Sequence, residues 1–268
     1  MENIAAADIW FGFVIAFIAS ASTFMGAMTS LYFKSVNQKT LAVILGFVAG
    51  IMLYTAFMKL MPDAVHVLSE QLPEKKVKLM TTSFFFLGLC LLYPLGYLVG
   101  IWKKGERKKY DESMLHYRRM ALLILFTINA HSFVEGLATF LSYLTAPLVA
   151  IPLVVSIIVH NFPEGMTIGA LFNRISETMG RRRAISYSVV ASLCEPLGAV
   201  TAYLFILRYS TPVLNGMLKA FLSGLLVATA LNELIPNSQL KGNRRISVQS
   251  IIAGMFVMGI VFVGGAYF

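Results

Sequence analysis

His131-Ser132-Phe133-Val134-Glu135-Gly136 and His160-Asn161-Phe162-Pro163-Glu164-Gly165 are one inset written twice, each time within an apolar run. A histidine and a glutamate four residues apart lie one above the other on a single helix face. A carboxylate in the middle of an apolar helix is expensive, and such residues normally face a protein interior or a watery cavity, where they mark ion or substrate paths. Two His/Glu faces brought together offer imidazole and carboxylate donors suited to a borderline divalent cation such as Zn²⁺ or Fe²⁺. Gly165 and Gly169 add a small-residue stripe that allows close helix approach and is expected to bring spans 4 and 5 together.

The surroundings say what kind of helix this is. Of 268 residues, 57% are hydrophobic and only 13% charged, and the mean hydropathy is +0.74. A water-soluble domain of this size is not built so. The composition predicts an all-α polytopic membrane protein folded as one domain. The net charge of +9 sits in short loops between apolar spans, a membrane-topology signature, so no nucleic-acid partner is expected and the lipid bilayer is. The start, Met1-Glu2-Asn3-Ile4, has no basic n-region and no small-residue cleavage site, and no removable signal peptide is expected. Cys90 and Cys194 both fall inside spans, which excludes a disulfide framework.

Apolar runs of about 20 residues, the length that crosses a roughly 30 Å hydrocarbon layer, are eight in number: 8–33, 40–62, 80–102, 119–143, 147–172, 185–207, 212–236 and 247–267. The longest loop, 103–118, is strongly basic and carries a lone His116. With both termini outside, sixteen of the 22 Lys and Arg residues fall in inner loops and four in outer ones. The basic loops are therefore expected in the cytoplasm of a multi-pass cell-membrane protein.

A weaker repeat runs beneath the insets. Span 1 reads Thr23-Phe-Met-Gly26-Ala27-Met-Thr29 and span 6 reads Glu195-Pro-Leu-Gly198-Ala199-Val-Thr201; span 2 ends Lys59-Leu-Met-Pro62 and span 7 ends Glu233-Leu-Ile-Pro236. The offsets, 172 and 174 residues, nearly agree. Each pair runs in opposite directions across the membrane, which predicts an inverted repeat of spans 1–3 and 6–8 around a central pair, spans 4 and 5.

Other residues could serve the same chemistry or a duller one. Glu195, in mid-span before Pro196, reads as a ligand, with a structural hydrogen bond as the alternative. Ser132 and Asn161 follow the two histidines and offer oxygen to a second ion, or else an ordinary interhelical contact. Pro163 frees the carbonyl of Val159, which either lines a cation path or merely kinks the helix. Cys194 points about 100° away from Glu195 and reads as filler. Glu233 and Lys219 lie near span ends, where snorkelling to the interface accounts for them. Lys59 either snorkels too or places an ammonium beside a cation site. Asp63, Glu70 and Glu74 read as a solvated outer loop that could also attract cations. Gly254, Gly259 and Gly264 in span 8 suit a homodimer face or internal packing.

The two insets, Glu195-Pro-Leu-Gly198, the second span from Gly46 to Pro62 and Glu233-Leu-Ile-Pro236 together resemble the ZIP (Zrt/Irt-like) family of divalent-metal transporters, in its branch of compact bacterial zinc-uptake proteins. The resemblance covers nearly the whole chain. It implies eight helices, a two-metal site between spans 4 and 5, and uptake of metal into the cytoplasm by an elevator-like motion. The metal, zinc foremost with iron, manganese and cadmium as alternatives, is then substrate, and no prosthetic group is implied. Carried over by position, His131, Glu135, His160 and Glu164 hold the first metal. Ser132, Asn161 and Glu195 hold the second, with Glu135 and Glu164 bridging. Three positions depart from the family pattern. Ser132 and Val134 stand where asparagine and proline are usual, and Lys59 stands where relatives place a metal-facing Glu, His or Met. Lys59 is thus a candidate modulator whose amine replaces one cation. Two other readings of the same residues are an intramembrane metal-dependent hydrolase and a non-transporting metal-binding relative disabled by Lys59.

Overall fold

The computed structural model describes residues 6–32, 37–91, 94, 112–145, 147–179, 181–206 and 211–265. Residues 1–5, residues 103–111 of the basic loop and the side chain of His116 lie outside the described residues. Within them the chain is helical throughout, without strands, and forms eight long helices. These are α1 (Ala6–Tyr32), α2 (Gln38–Ser69), α3 (Glu74–Cys90), α4 (Glu112–Thr145), α5 (Pro147–Met179), α6 (Arg181–Thr201), α7 (Pro212–Ser238) and α8 (Arg244–Gly265). Six described stretches are long and apolar enough to cross a membrane, on α1, α2, α4, α6, α7 and α8. The outward faces carry Phe11, Phe17, Phe86, Leu87, Phe256 and Ile260, all more than half exposed. A surface so apolar suits acyl chains and not water. The protein is an all-α polytopic membrane protein.

The local chemistry of α2 and α7 is the same 174 residues apart. Each begins at a polar cap: Asn37 Oδ1 accepts from Thr40 N at 2.8 Å, and Thr211 Oγ1 accepts from Leu214 N at 3.2 Å. Each runs 18 residues as α-helix, then widens into one π turn, Ala56–Leu60 and Ala230–Leu234. Each has a proline just beyond that turn, Pro62 and Pro236. A proline inside a helix lacks an N–H and presses its ring on the carbonyl four residues back. One extra residue in the turn relieves both problems without ending the helix. That is why α2 continues to Ser69, where the sequence alone suggested a span closing at Pro62. Asp63 therefore belongs to the helix and not to a loop.

Helix pairing follows a pseudo-two-fold that exchanges α1 with α6, α2 with α7, α3 with α8 and α4 with α5. α1 packs on α5 as α6 packs on α4, and α2 packs on α8 as α7 packs on α3. The exchange is visible in single atoms. A Cβ on Gly26 would lie 2.0 Å from the carbonyl oxygen of Phe162, and one on Gly198 would lie 2.0 Å from that of Phe133. Gly50 meets Ile251 and Gly224 meets Phe85 in the same way. At each of these crossings only a glycine lets the backbones meet, which is how helices associate where no hydrophobic drive separates them from lipid. Gly254 and Gly259 belong to this scheme: they meet the Phe47 carbonyl and the Tyr54 ring on α2 and serve internal packing, while open space lies beside Gly264.

The result is two closely packed groups, α1/α4/α5/α6 and α2/α3/α7/α8. A buried layer including Leu45, Met52, Ile124, Ile128, Ile168, Phe172 and Leu226 joins them. Along the axis itself, Ser20 of α1 donates its hydroxyl to the carbonyl of its own repeat mate, Ser192 of α6.

Candidate metal centre

α4 and α5 cross with their insets face to face, because the glycine ending each inset seats against a neighbouring backbone. Gly136 sits on the carbonyl of Glu195 and Gly165 on that of Thr23. This fixes the height and rotation of His131, Glu135, His160 and Glu164 together. The Nε2 of His160 lies 2.8 Å from Oε1 of Glu135, and the Nε2 of His131 lies 3.3 Å from the same oxygen. His131 Nε2 is 3.7 Å from Glu164 Oε1, and the two imidazole centroids are 5.9 Å apart. One donor atom each from His131, His160 and Glu164 falls within 4.8 Å of the others. A tetrahedral zinc needs neighbouring ligand atoms about 3.4 Å apart.

All of this is buried: His131 and Glu164 are 1% exposed, His160 4% and Glu135 8%. Neither nitrogen of His131 and neither carboxylate oxygen of Glu164 makes a hydrogen bond. Buried polar atoms are ordinarily satisfied, and carboxylates most of all. Several such ligand atoms aimed at one small volume are satisfied together by a single cation. The imidazole and carboxylate set suits a borderline transition-metal ion better than a hard one.

Asn161 and Glu195 stand together beside this cluster. Asn161 Nδ2 donates to Glu195 Oε2 at 3.0 Å, and makes a longer contact to the Ala19 carbonyl at 3.5 Å. Asn161 Oδ1, Glu195 Oε1 and Ser132 Oγ are buried without a hydrogen-bond partner. The three therefore offer unclaimed oxygens from α5, α6 and α4.

Lys59 has a partner of its own. Its Nζ lies 3.1 Å from Asp63 Oδ2, with 44% of the side chain exposed. Lys219 of α7 reaches the same oxygen at 3.6 Å, so it does not simply snorkel. The π turn that carries Lys59 packs on α7. An ammonium so placed neutralises Asp63. Cys194 donates its thiol to the Val190 carbonyl at 3.5 Å, as filler does. α5 runs unbroken through Pro163, whose own carbonyl accepts from Thr167 Oγ1 at 3.2 Å. Sequence reasoning missed the Lys59–Asp63–Lys219 cluster, because its i,i+4 spacing counts only once the helix is known to pass Pro62. It also missed the Ala19 carbonyl, which no side-chain pattern announces.

The family model described as ZIP Zinc transporter matches residues 7–113 and 103–263 of this chain. The chain is 31% identical over 261 residues to the zinc transporter ZupT of Chlorobium chlorochromatii, covering 94% of this chain and 97% of that protein. It is 31% identical over 258 residues to ZupT of Corynebacterium aurimucosum, covering 95% and 97%. To ZupT of Streptococcus mutans it is 29% identical over 252 residues, covering 92% and 95%.

Proposed function

The chain belongs to the ZIP zinc transporter family, and on that premise we propose that it carries a divalent transition-metal ion, zinc foremost, across the cell membrane through the buried centre between α4 and α5. In this reading His131, Glu135, His160 and Glu164 hold one ion. Ser132, Asn161 and Glu195 hold a second, with Glu135 and Glu164 bridging. The observation that carries the reading is the convergence of buried imidazole and carboxylate groups from two facing helices on one small volume.

No covalent chemistry is asked of these residues. They replace the water shell of an ion that could not otherwise enter a low-dielectric interior. Two histidines and two carboxylates cancel the charge of a doubly charged ion and satisfy themselves in doing so. The same donors accept Fe²⁺, Mn²⁺ and Cd²⁺, in an order that geometry and availability decide. The metal is cargo throughout, and the protein is a transporter, not an enzyme.

The Lys and Arg distribution supports both termini outside and uptake toward the cytoplasm. An inside-negative potential favours that direction by about 2.3 kcal/mol per charge for each 100 mV. The split into two helix groups supports movement of one group against the other as the step that exposes the centre to each side in turn. Uptake of radioactive zinc into proteoliposomes tests the whole reading. Glu164→Ala should lower flux by at least about tenfold with membrane insertion unchanged, and undiminished flux would overturn the site assignment. Competition by Fe²⁺, Mn²⁺ and Cd²⁺ in the same assay ranks the cargo.

A further inference from the structure

His66-Val67-Leu68-Ser69-Glu70 repeats, on the far end of α2, the His-x-x-x-Glu spacing of both buried insets. Three of the four histidines in the chain thus stand four residues before a glutamate. The spacing again puts both side chains on one helix face. Here the Nε2 of His66 lies 3.6 Å from Oε1 of Glu70, close to the about 3.4 Å that two ligands keep on one zinc ion. Their surroundings differ from the buried centre in one respect. The His66 side chain is 77% exposed and that of Glu70 59%, so nothing has to move for a hydrated ion to reach them.

The helix beneath the pair is held rigidly. Asp63, one turn earlier, is tied by Lys59 of α2 and Lys219 of α7, and Ala64 and Leu68, on the opposite side of the same turns, are fully buried. The continuation of α2 past Pro62 puts His66 in its last turn and Glu70 at its C-cap. With Asp63 already neutralised by two lysines, the histidine and the glutamate are the two donors left facing out from that turn.

We infer that His66 and Glu70 form a surface two-donor site for a divalent transition-metal ion, completed by water, where metal binds before it reaches the buried centre. Two exposed donors release their ion readily, as delivery requires, while the buried centre offers four. Binding at His66 and Glu70 stands on their own geometry. Its place ahead of transport rests on the proposed function and on the outward orientation of that end.

Chemical modification of histidine by diethylpyrocarbonate, read residue by residue by mass spectrometry on the purified full-length protein, tests binding directly. Zn²⁺ should slow modification of His66 in the wild type. It should do so equally in Glu164→Ala, because the buried centre is not involved. In Glu70→Gln the Zn²⁺ concentration giving half-protection should rise by about tenfold or more, a direct ligand mattering at least as much as a supporting one. Absence of protection in the wild type, undiminished protection in Glu70→Gln, or its loss in Glu164→Ala would each overturn the site. None of these outcomes depends on flux, so the transport reading stands or falls separately in the liposome assay.

Discussion

At the scale of single residues, Lys59 shows that the fold, and not the sequence, chooses the partner of a charged side chain in an apolar run. Read along the sequence it stands where an ammonium would compete with a cation, yet in the fold it is half exposed and paired with Asp63. An ion pair of that exposure contributes roughly 0–1 kcal/mol. Lys59→Met should therefore leave Zn²⁺ stoichiometry and flux at wild-type levels and shift the melting temperature little. A changed stoichiometry, measured on the purified protein by metal analysis, would put the amine back at the centre. The buried donors were far more legible. The spacing of His131/Glu135 and His160/Glu164 survives any uncertainty in helix ends, because residues four apart share a face wherever the helix begins. The Asn161–Glu195 bond was not legible, since it depends on how α5 and α6 approach one another. The same holds for the Ser20–Ser192 contact, which joins helices far apart in sequence.

Helices and their crossings form the next scale. The hydropathy pattern alone pointed to eight apolar runs, but it has no register for a π turn. The extra residue in Ala56–Leu60 rotates everything after it, which is why the far end of α2 read as loop. The glycine contacts were half legible: Gly165 and Gly169 announced a close approach, but the expected partner, α4, is wrong, and both seat against α1 at Thr23 and Ala27. A Cβ at Gly165 would lie 1.9 Å from the Thr23 carbonyl, and one at Gly136 1.9 Å from that of Glu195. Neither obstacle is a flexible side chain, so the helices must separate. Gly165→Val and Gly136→Val should each cost about 1–3 kcal/mol or more. Each should also lower the affinity for Zn²⁺, because these crossings set the rotation of the ligand faces. Thermal unfolding in detergent with and without Zn²⁺ checks both effects. A variant with wild-type stability and affinity would show that the contacts do not position the centre.

For the whole molecule, the division into α1/α4/α5/α6 and α2/α3/α7/α8 supplies a mechanical test. Ala130 of α4 packs against the buried pair Leu225 and Ala228 of α7, across the boundary between the groups. With Cys90 and Cys194 replaced by serine, cysteines at 130 and 228 joined by a short bifunctional reagent should stop zinc uptake. A bridge within one group, between α1 and α5 near Gly26 and Phe162, should not. Equal inhibition by both, or by neither, would argue against relative motion of the groups. This division could not be read from the chain, because it is written in pairings between helices far apart in sequence. The repeat that generates it was partly readable, through the shared offsets of 172 and 174 residues.

The pseudo-two-fold has a consequence for the direction of traffic. A cation resting where α4 meets α5 sees nearly the same neighbours whether it looks outward or inward, since His131 and Glu135 on one helix answer His160 and Glu164 on the other. Such a seat favours neither face of the bilayer by itself. Beyond the pull of the membrane potential, a built-in preference must come from the few places where the two halves disagree: Ser132 against Asn161, Val134 against Pro163, Thr23 against Glu195, and Lys59 against Glu233. A vectorial machine of this kind is a palindrome with a handful of misprints, and the misprints are where its arrow is drawn.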